Sequence, residues 1–84
     1  MEEKVGEVVK YFAKIGVAAV KITKGSIKVG DSLHFQGANT DFVQKVESMQ
    51  IEHQNVETAS EGDLVGIKVK DRVRPSDHVY RVIE

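Results

Sequence analysis

Cysteine and tryptophan are absent from the chain, and proline occurs once, at Pro75. Without cysteine there is no disulfide scaffold, no thiolate-ligated zinc or iron–sulfur centre and no thiol nucleophile, so the core must hold without covalent staples. Long apolar runs are also missing. The longest, Val17-Ala18-Ala19-Val20, is far too short to span a bilayer, and the opening Met1-Glu2-Glu3-Lys4 is polar where a secretory signal needs a basic and then an apolar stretch. These features predict a soluble, cytoplasmic protein. No charge of one sign dominates either, since 12 Lys and Arg stand against 13 Asp and Glu for a net charge of −1. The total therefore names no partner, and only the distribution of charge is informative.

What is present suffices for one small core. The 84 residues are 40% hydrophobic and 30% charged, which argues against wholesale disorder and for a single domain over 1–84. Apolar side chains recur with period two. Ala18, Val20 and Ile22 alternate with Val17, Ala19 and Lys21; Leu33 and Phe35 with Ser32, His34 and Gln36; Val65, Ile67 and Val69 with Leu64, Gly66 and Lys68. Each run reads as a half-buried strand. Residues 5–12 are rich in β-branched and aromatic side chains, with less cleanly separated faces. Residues 42–51 change phase between Val46 and Met49, which predicts a bulge near Ser48. Residues 78–83 form the last strand, and residues 52–60 have the composition for one helical turn. Turn signals separate the runs, among them Lys24-Gly25-Ser26, Val29-Gly30-Asp31, Glu61-Gly62-Asp63 and Arg74-Pro75-Ser76-Asp77. Six strands and their turns predict an all-β, antiparallel barrel or sandwich.

Catalytic and cofactor motifs fail one by one. The seven glycines form neither a P-loop nor a dinucleotide fingerprint, so no nucleotide or other cofactor is expected. His34, His53 and His78 lack the spacing that aims two imidazoles at one metal from a single element. Asp31, Ser32 and His34 are close in sequence, but no oxyanion signal accompanies them. No metal site and no enzyme activity are expected.

Charge placement does stand out. Residues 8–30 hold Lys10, Lys14, Lys21, Lys24 and Lys28 and no acid, whereas residues 41–63 hold six acids and only Lys45. Residues 68–74 are basic again, with Lys68, Lys70, Arg72 and Arg74 against Asp71. Lysines that protect edge strands from aggregation would explain some of this. The functional reading is a basic face for phosphates or an acidic protein, built from those nine cations.

The run Lys24-Gly25-Ser26-Ile27-Lys28-Val29-Gly30-Asp31-Ser32-Leu33 resembles the turn and strand of domain II in translational GTPases, such as elongation factor Tu and the large initiation factor. Lys45-Val46-Glu47-Ser48-Met49-Gln50 and the segment from Val56-Glu57-Thr58-Ala59 to Gly62-Asp63-Leu64-Val65-Gly66-Ile67 look like the family's next blocks, in order and at fitting spacing. Together the blocks cover most of the chain. The resemblance implies a six-stranded antiparallel closed β-barrel of the translation-factor domain II type, standing without the GTPase domain. Gly25 and Gly30 then serve turns, and Gly66 admits a close neighbour. It further implies a non-catalytic, translation-related binding module whose partner is ribosomal RNA or tRNA. Related barrels are also appended to collagenase-like peptidases. The alternative is therefore a protein-interaction domain acting in trans on an enzyme such as a peptidase or modification enzyme.

Overall fold

Period-two patterning becomes strands throughout the computed structural model, which describes residues 1–83. In chain order these are β1 (Glu2–Phe12), β2 (Val17–Ile22), β3 (Ser26–Lys28), β4 (Ser32–Gly37), β5 (Thr40–Lys45), β6 (Met49–Ile51), β7 (Gln54–Val56), β8 (Thr58–Ser60), β9 (Leu64–Lys68) and β10 (His78–Val82). All pairings are antiparallel. Eight strands form one sheet in the order β5-β4-β10-β1-β2-β9-β6-β7, and β3 pairs with β8 in a second ladder. The all-β, antiparallel expectation holds. The strand count among the described residues is ten and not six, because strands of three residues are too short to display an alternation that sequence can register.

Two local expectations are corrected. Residues 52–60 form no helical turn. They make the β6–β7 hairpin and then β8, with Glu52 and His53 as a two-residue loop at φ 51° and 64° between the paired Ile51 and Gln54. Positive φ at both loop residues suits the twist of a tight hairpin, although neither residue is glycine or asparagine. The phase change at Ser48 is also no ladder bulge. Residues 46–48 belong to no strand. The Val46 amide donates to Asp31 O at 2.8 Å and its carbonyl accepts from the Gly30 amide at 2.9 Å, so Val46 and Met49 both reach the core.

Register irregularities lie in β1 instead, between Lys4 and Gly6 against β10 and between Val8 and Lys10 against β2. They bring Val5 and Val8 to the same interior despite their odd spacing, which is why this segment's faces are mixed in the sequence. Gly6 lies between them, where a Cβ would collide with the Lys21 carbonyl.

One core fills the interior. Ile22, Ile27, Leu33, Phe35, Val65 and Ile67 are fully buried, and the Phe35 ring stacks on Phe42 at 5.1 Å between centroids. Each such aliphatic side chain contributes roughly 1.5–3 kcal/mol by leaving water. At one corner the core admits polar groups. Thr40 Oγ1 donates to Asp77 Oδ2, which also accepts from the Arg74 amide at 2.9 Å. Pro75 and Ser76, the latter at φ 77°, complete a turn of type II pattern, with serine in the position that glycine usually takes.

Candidate functional site

All nine cations singled out in the sequence are exposed: Lys10, Lys14, Lys21, Lys24, Lys28, Lys68, Lys70, Arg72 and Arg74. Among the described residues, none of their charged side-chain nitrogens lies within 4.0 Å of a carboxylate oxygen. They do not gather at one place. Lys14 belongs to the β1–β2 turn, whose Gly16 carbonyl accepts from the Val69 amide, and this turn meets Lys68 and Lys70 at one end of the molecule. Lys21 sits at the other end of the β2–β9 ladder, opposite Leu64, with its Nζ on the Gly62 carbonyl at 2.9 Å. Lys24 follows β2, with its amide on the Val5 carbonyl, and Lys28 lies on β3 opposite Thr58. The four-residue step from Lys21 to Val17, which pairs with Lys68, is about 13 Å of strand. Arg72 stands apart, lining a shallow polar pocket with residues 39–42 and Asp71.

Edge protection accounts for some of the strand lysines and not for others. Lys28 lies on β3 of the two-stranded ladder and Lys45 ends the terminal strand β5. Lys21 has no exposed edge to protect, because it is paired with Glu7 of β1 on one side and Leu64 of β9 on the other.

Between Lys21 and Lys68 runs a feature that sequence reasoning missed. Outward-facing residues of β2 and β9 include Val17, Ala19, Leu64 and Gly66, and with Phe12 and Ile15 they form an apolar groove of about 320 Å³. Ala19 pairs with Gly66, so the two smallest side chains meet at its centre, while Leu64, Ile15 and Phe12 are 52%, 59% and 41% exposed at its margins. Glu52 and His53, the strained hairpin loop, and Gln50 complete the rim. The signal was present in the sequence. Val17, Ala19 and Leu64 occupy the phase of their strands in which a solvated face would carry polar residues.

Two carboxylates hold His34. The His34 ring lies between Glu2 and Asp41, with Nδ1 2.8 Å from Glu2 Oε2 and Nε2 bonded to Asp41 Oδ1. These hydrogen bonds, that to Glu2 first, hold the His34 pKa above its usual value against the opposing effect of burial. Both ring nitrogens are thus engaged away from Ser32. The Asp31 carboxylate instead accepts from the Lys28 amide. No group of three or more His, Cys, Asp or Glu among the described residues is arranged to hold a metal ion. No described helix is long and apolar enough to cross a membrane.

The sequence pattern of elongation factor Tu domain 2 matches residues 16–73. This chain belongs to that family. Its similarity to known proteins outside the GTPases is equally informative. A collagenase of Porphyromonas gingivalis is 44% identical over 78 residues, covering 92% of this chain and 22% of the relative. An uncharacterized protease of Methanocaldococcus jannaschii is 38% identical over 82 residues, covering 96% of this chain and 20% of the relative. Among solved structures, the C-terminal domain of a putative U32 peptidase from Geobacillus thermoleovorans superposes with a TM-score of 0.88 at 25% identity, covering 96% of this chain and 93% of that one. The chain spans about a fifth of the length of the curated relatives it matches.

Proposed function

We propose that this domain is a non-catalytic protein-interaction module that serves a peptidase. The carrying observation is the 44% identity to a collagenase over nearly the whole of this chain and little more than a fifth of the relative, because a segment that small leaves room for a separate catalytic body, which supports an accessory role. Its architecture supports the same reading. The Gln44 amide donates to the Lys68 carbonyl at 2.8 Å and accepts from the Lys70 amide at 2.8 Å, tying the outer strand β5 to the segment after β9. We take this side-chain bridge, with the β3–β8 ladder, to close the chain into the barrel of the family. A closed barrel is a rigid platform for a docking face.

The test is a chimera. The Porphyromonas gingivalis collagenase is prepared intact, with its matching segment deleted, and with this chain in place of that segment. The chimera should recover most of the activity that the deletion loses. A folded chimera no more active than the deletion rejects the reading.

Contact with ribosomal RNA or tRNA is the second reading, favoured by the nine exposed cations free of described carboxylates. Their dispersal over the surface limits simultaneous phosphate contacts to about two or three, so the log–log salt slope should be about −2 to −3. An RNA affinity insensitive to salt between about 50 and 200 mM rejects it.

A further inference from the structure

We infer that the groove on the outer face of the β2–β9 ladder docks a protein segment that presents an apolar side chain flanked by carboxylates. The identification of this segment with part of a peptidase rests on the function proposed above. The chemistry of the occupant does not.

Shape comes first. The outer face of the ladder has three rows: Val17 opposite Lys68, Ala19 opposite Gly66, and Lys21 opposite Leu64. The central row lacks bulk, and a Cβ at Gly66 would lie only 3.3 Å from Val17 Cγ1, so even one added methyl intrudes on the floor. The resulting hollow of about 320 Å³ is at the small end of the range for ligand sites, and it suits one or two side chains rather than a whole cofactor. Its walls are exposed although the fold gains nothing from leaving Ile15 and Leu64 in water.

Charge then selects the occupant. A lysine stands at each diagonal corner of the ladder, and Lys10 extends over the Phe12 ring, 5.0 Å from its centroid, on the groove's wall. Nearby acids are mostly committed elsewhere. Glu7, opposite Lys21, is paired with Lys4 at 3.1 Å, and the Asp63 carboxylate accepts from the Ser60 amide. Among the described residues that line the groove, only Glu52 is acidic. A second copy docked face to face about a two-fold axis would bring lysine-bearing rims together, which disfavours self-association here. Nucleic acid would satisfy the lysines but leave an apolar floor under a phosphate backbone. An apolar anchor between carboxylates satisfies both parts of the site.

The experiment titrates the ¹⁵N-labelled chain with two peptides, one carrying paired leucines between aspartates and the other with lysines replacing the aspartates. The acidic peptide should shift the amides of Ala19, Leu64 and Gly66, and the basic one should bind at least tenfold more weakly. Ile15→Ser and Leu64→Ser, both at positions more than half exposed, should each weaken the acidic peptide by about tenfold, consistent with anchor residues at a small interface. Lys21→Glu with Lys68→Glu should reverse the preference, whereas Lys24→Glu with Lys28→Glu should leave it unchanged. No shift at about 1 mM acidic peptide, equal binding of both peptides, or the same shifts from a single-stranded RNA would overturn the proposal. An inactive chimera with peptide binding intact would reject the peptidase reading alone. An active chimera unaffected by the serine substitutions, with the peptides silent, would reject the groove alone.

Discussion

The two faces of the β2–β9 ladder share backbone and register but differ in what their side chains are for. On the inner face Ala18, Val20, Ile22, Val65 and Ile67 are fully buried, whereas on the outer face Leu64 is 52% exposed and Val17 and Ala19 are only partly covered. Hydrophobicity inside is explained by folding, because it removes apolar area from water. The same chemistry outside has no such explanation, and it lies between Lys68 and Lys21, the second of which is paired on both sides and protects no edge. Apolar character on a strand therefore carries functional information only when its phase is that of the solvated face.

Paired substitutions across one ladder test this contrast with the largest expected effect. Ile67→Ala should cost about 2–5 kcal/mol, since it leaves a cavity in a core with no disulfide to compensate. Leu64→Ser, three residues earlier and on the opposite face, should change stability by no more than about 0.5 kcal/mol. Urea denaturation reads both. Equal losses would mean that the outer residues are structural and that the contrast is empty.

Much of the inner face was legible in the sequence, since Val20, Ile22, Leu33, Phe35, Val65 and Ile67 alternate as a two-fold pattern must. The family blocks extended this to the architecture. β3, β7 and β8 escaped because three residues cannot establish a period, and β1 was blurred by two register shifts around Gly6. The cations were found by counting. Their dispersal was not, because it depends on which strands are neighbours: β2 pairs with β9, more than forty residues away in the chain. The groove escaped for the same reason, as Leu64 and Gly66 meet Ala19 and Lys21 only through that pairing.

Buried polar groups also set the inner region apart. The inner region tolerates Asp77, only 5% exposed, because Thr40 and the Arg74 amide satisfy its carboxylate. Asp77→Ala should cost about 1–3 kcal/mol by orphaning both donors. Gly37→Ala probes the same corner from the other side, where a new Cβ would meet the Asp77 carboxylate. Wild-type melting in both variants would show that the corner carries no stability.

Strain separates the faces in the opposite sense. Glu52 and His53 hold positive φ at the groove's rim, whereas a tight hairpin favours asparagine followed by glycine. Replacing the pair by Asn and Gly should raise stability by about 1 kcal/mol, and the midpoint of thermal unfolding would register it. A gain accompanied by weaker peptide binding would place the strained pair in the service of the groove. A loss of stability would instead show that the native pair makes contacts that outweigh its conformation.

The smallest effect belongs to another outward cluster, the His34 ring between Glu2 and Asp41. Its folded-state pKa is raised, chiefly by the Glu2 hydrogen bond, above the value of about 6.5 expected in the unfolded chain. Protonation therefore favours folding. The contribution is fully present below about pH 6.5 and disappears as pH rises through the higher folded-state value. The two carboxylates are 38% and 75% exposed, so solvent screens the pair and the effect should be small. Denaturation midpoints measured between about pH 5.5 and 8.5 should fall slightly with rising pH in the native chain, and His34→Gln should flatten the curve. A slope of the same size in the variant would transfer the dependence to other groups. Either outcome bears on the comparison of faces, because titration at His34 reports an outward cluster of β1, β4 and β5 that is separate from the groove on β2 and β9. If peptide affinity followed the His34 titration as well, the two outward sites would be coupled through β1, which pairs with β2 along one side of the groove.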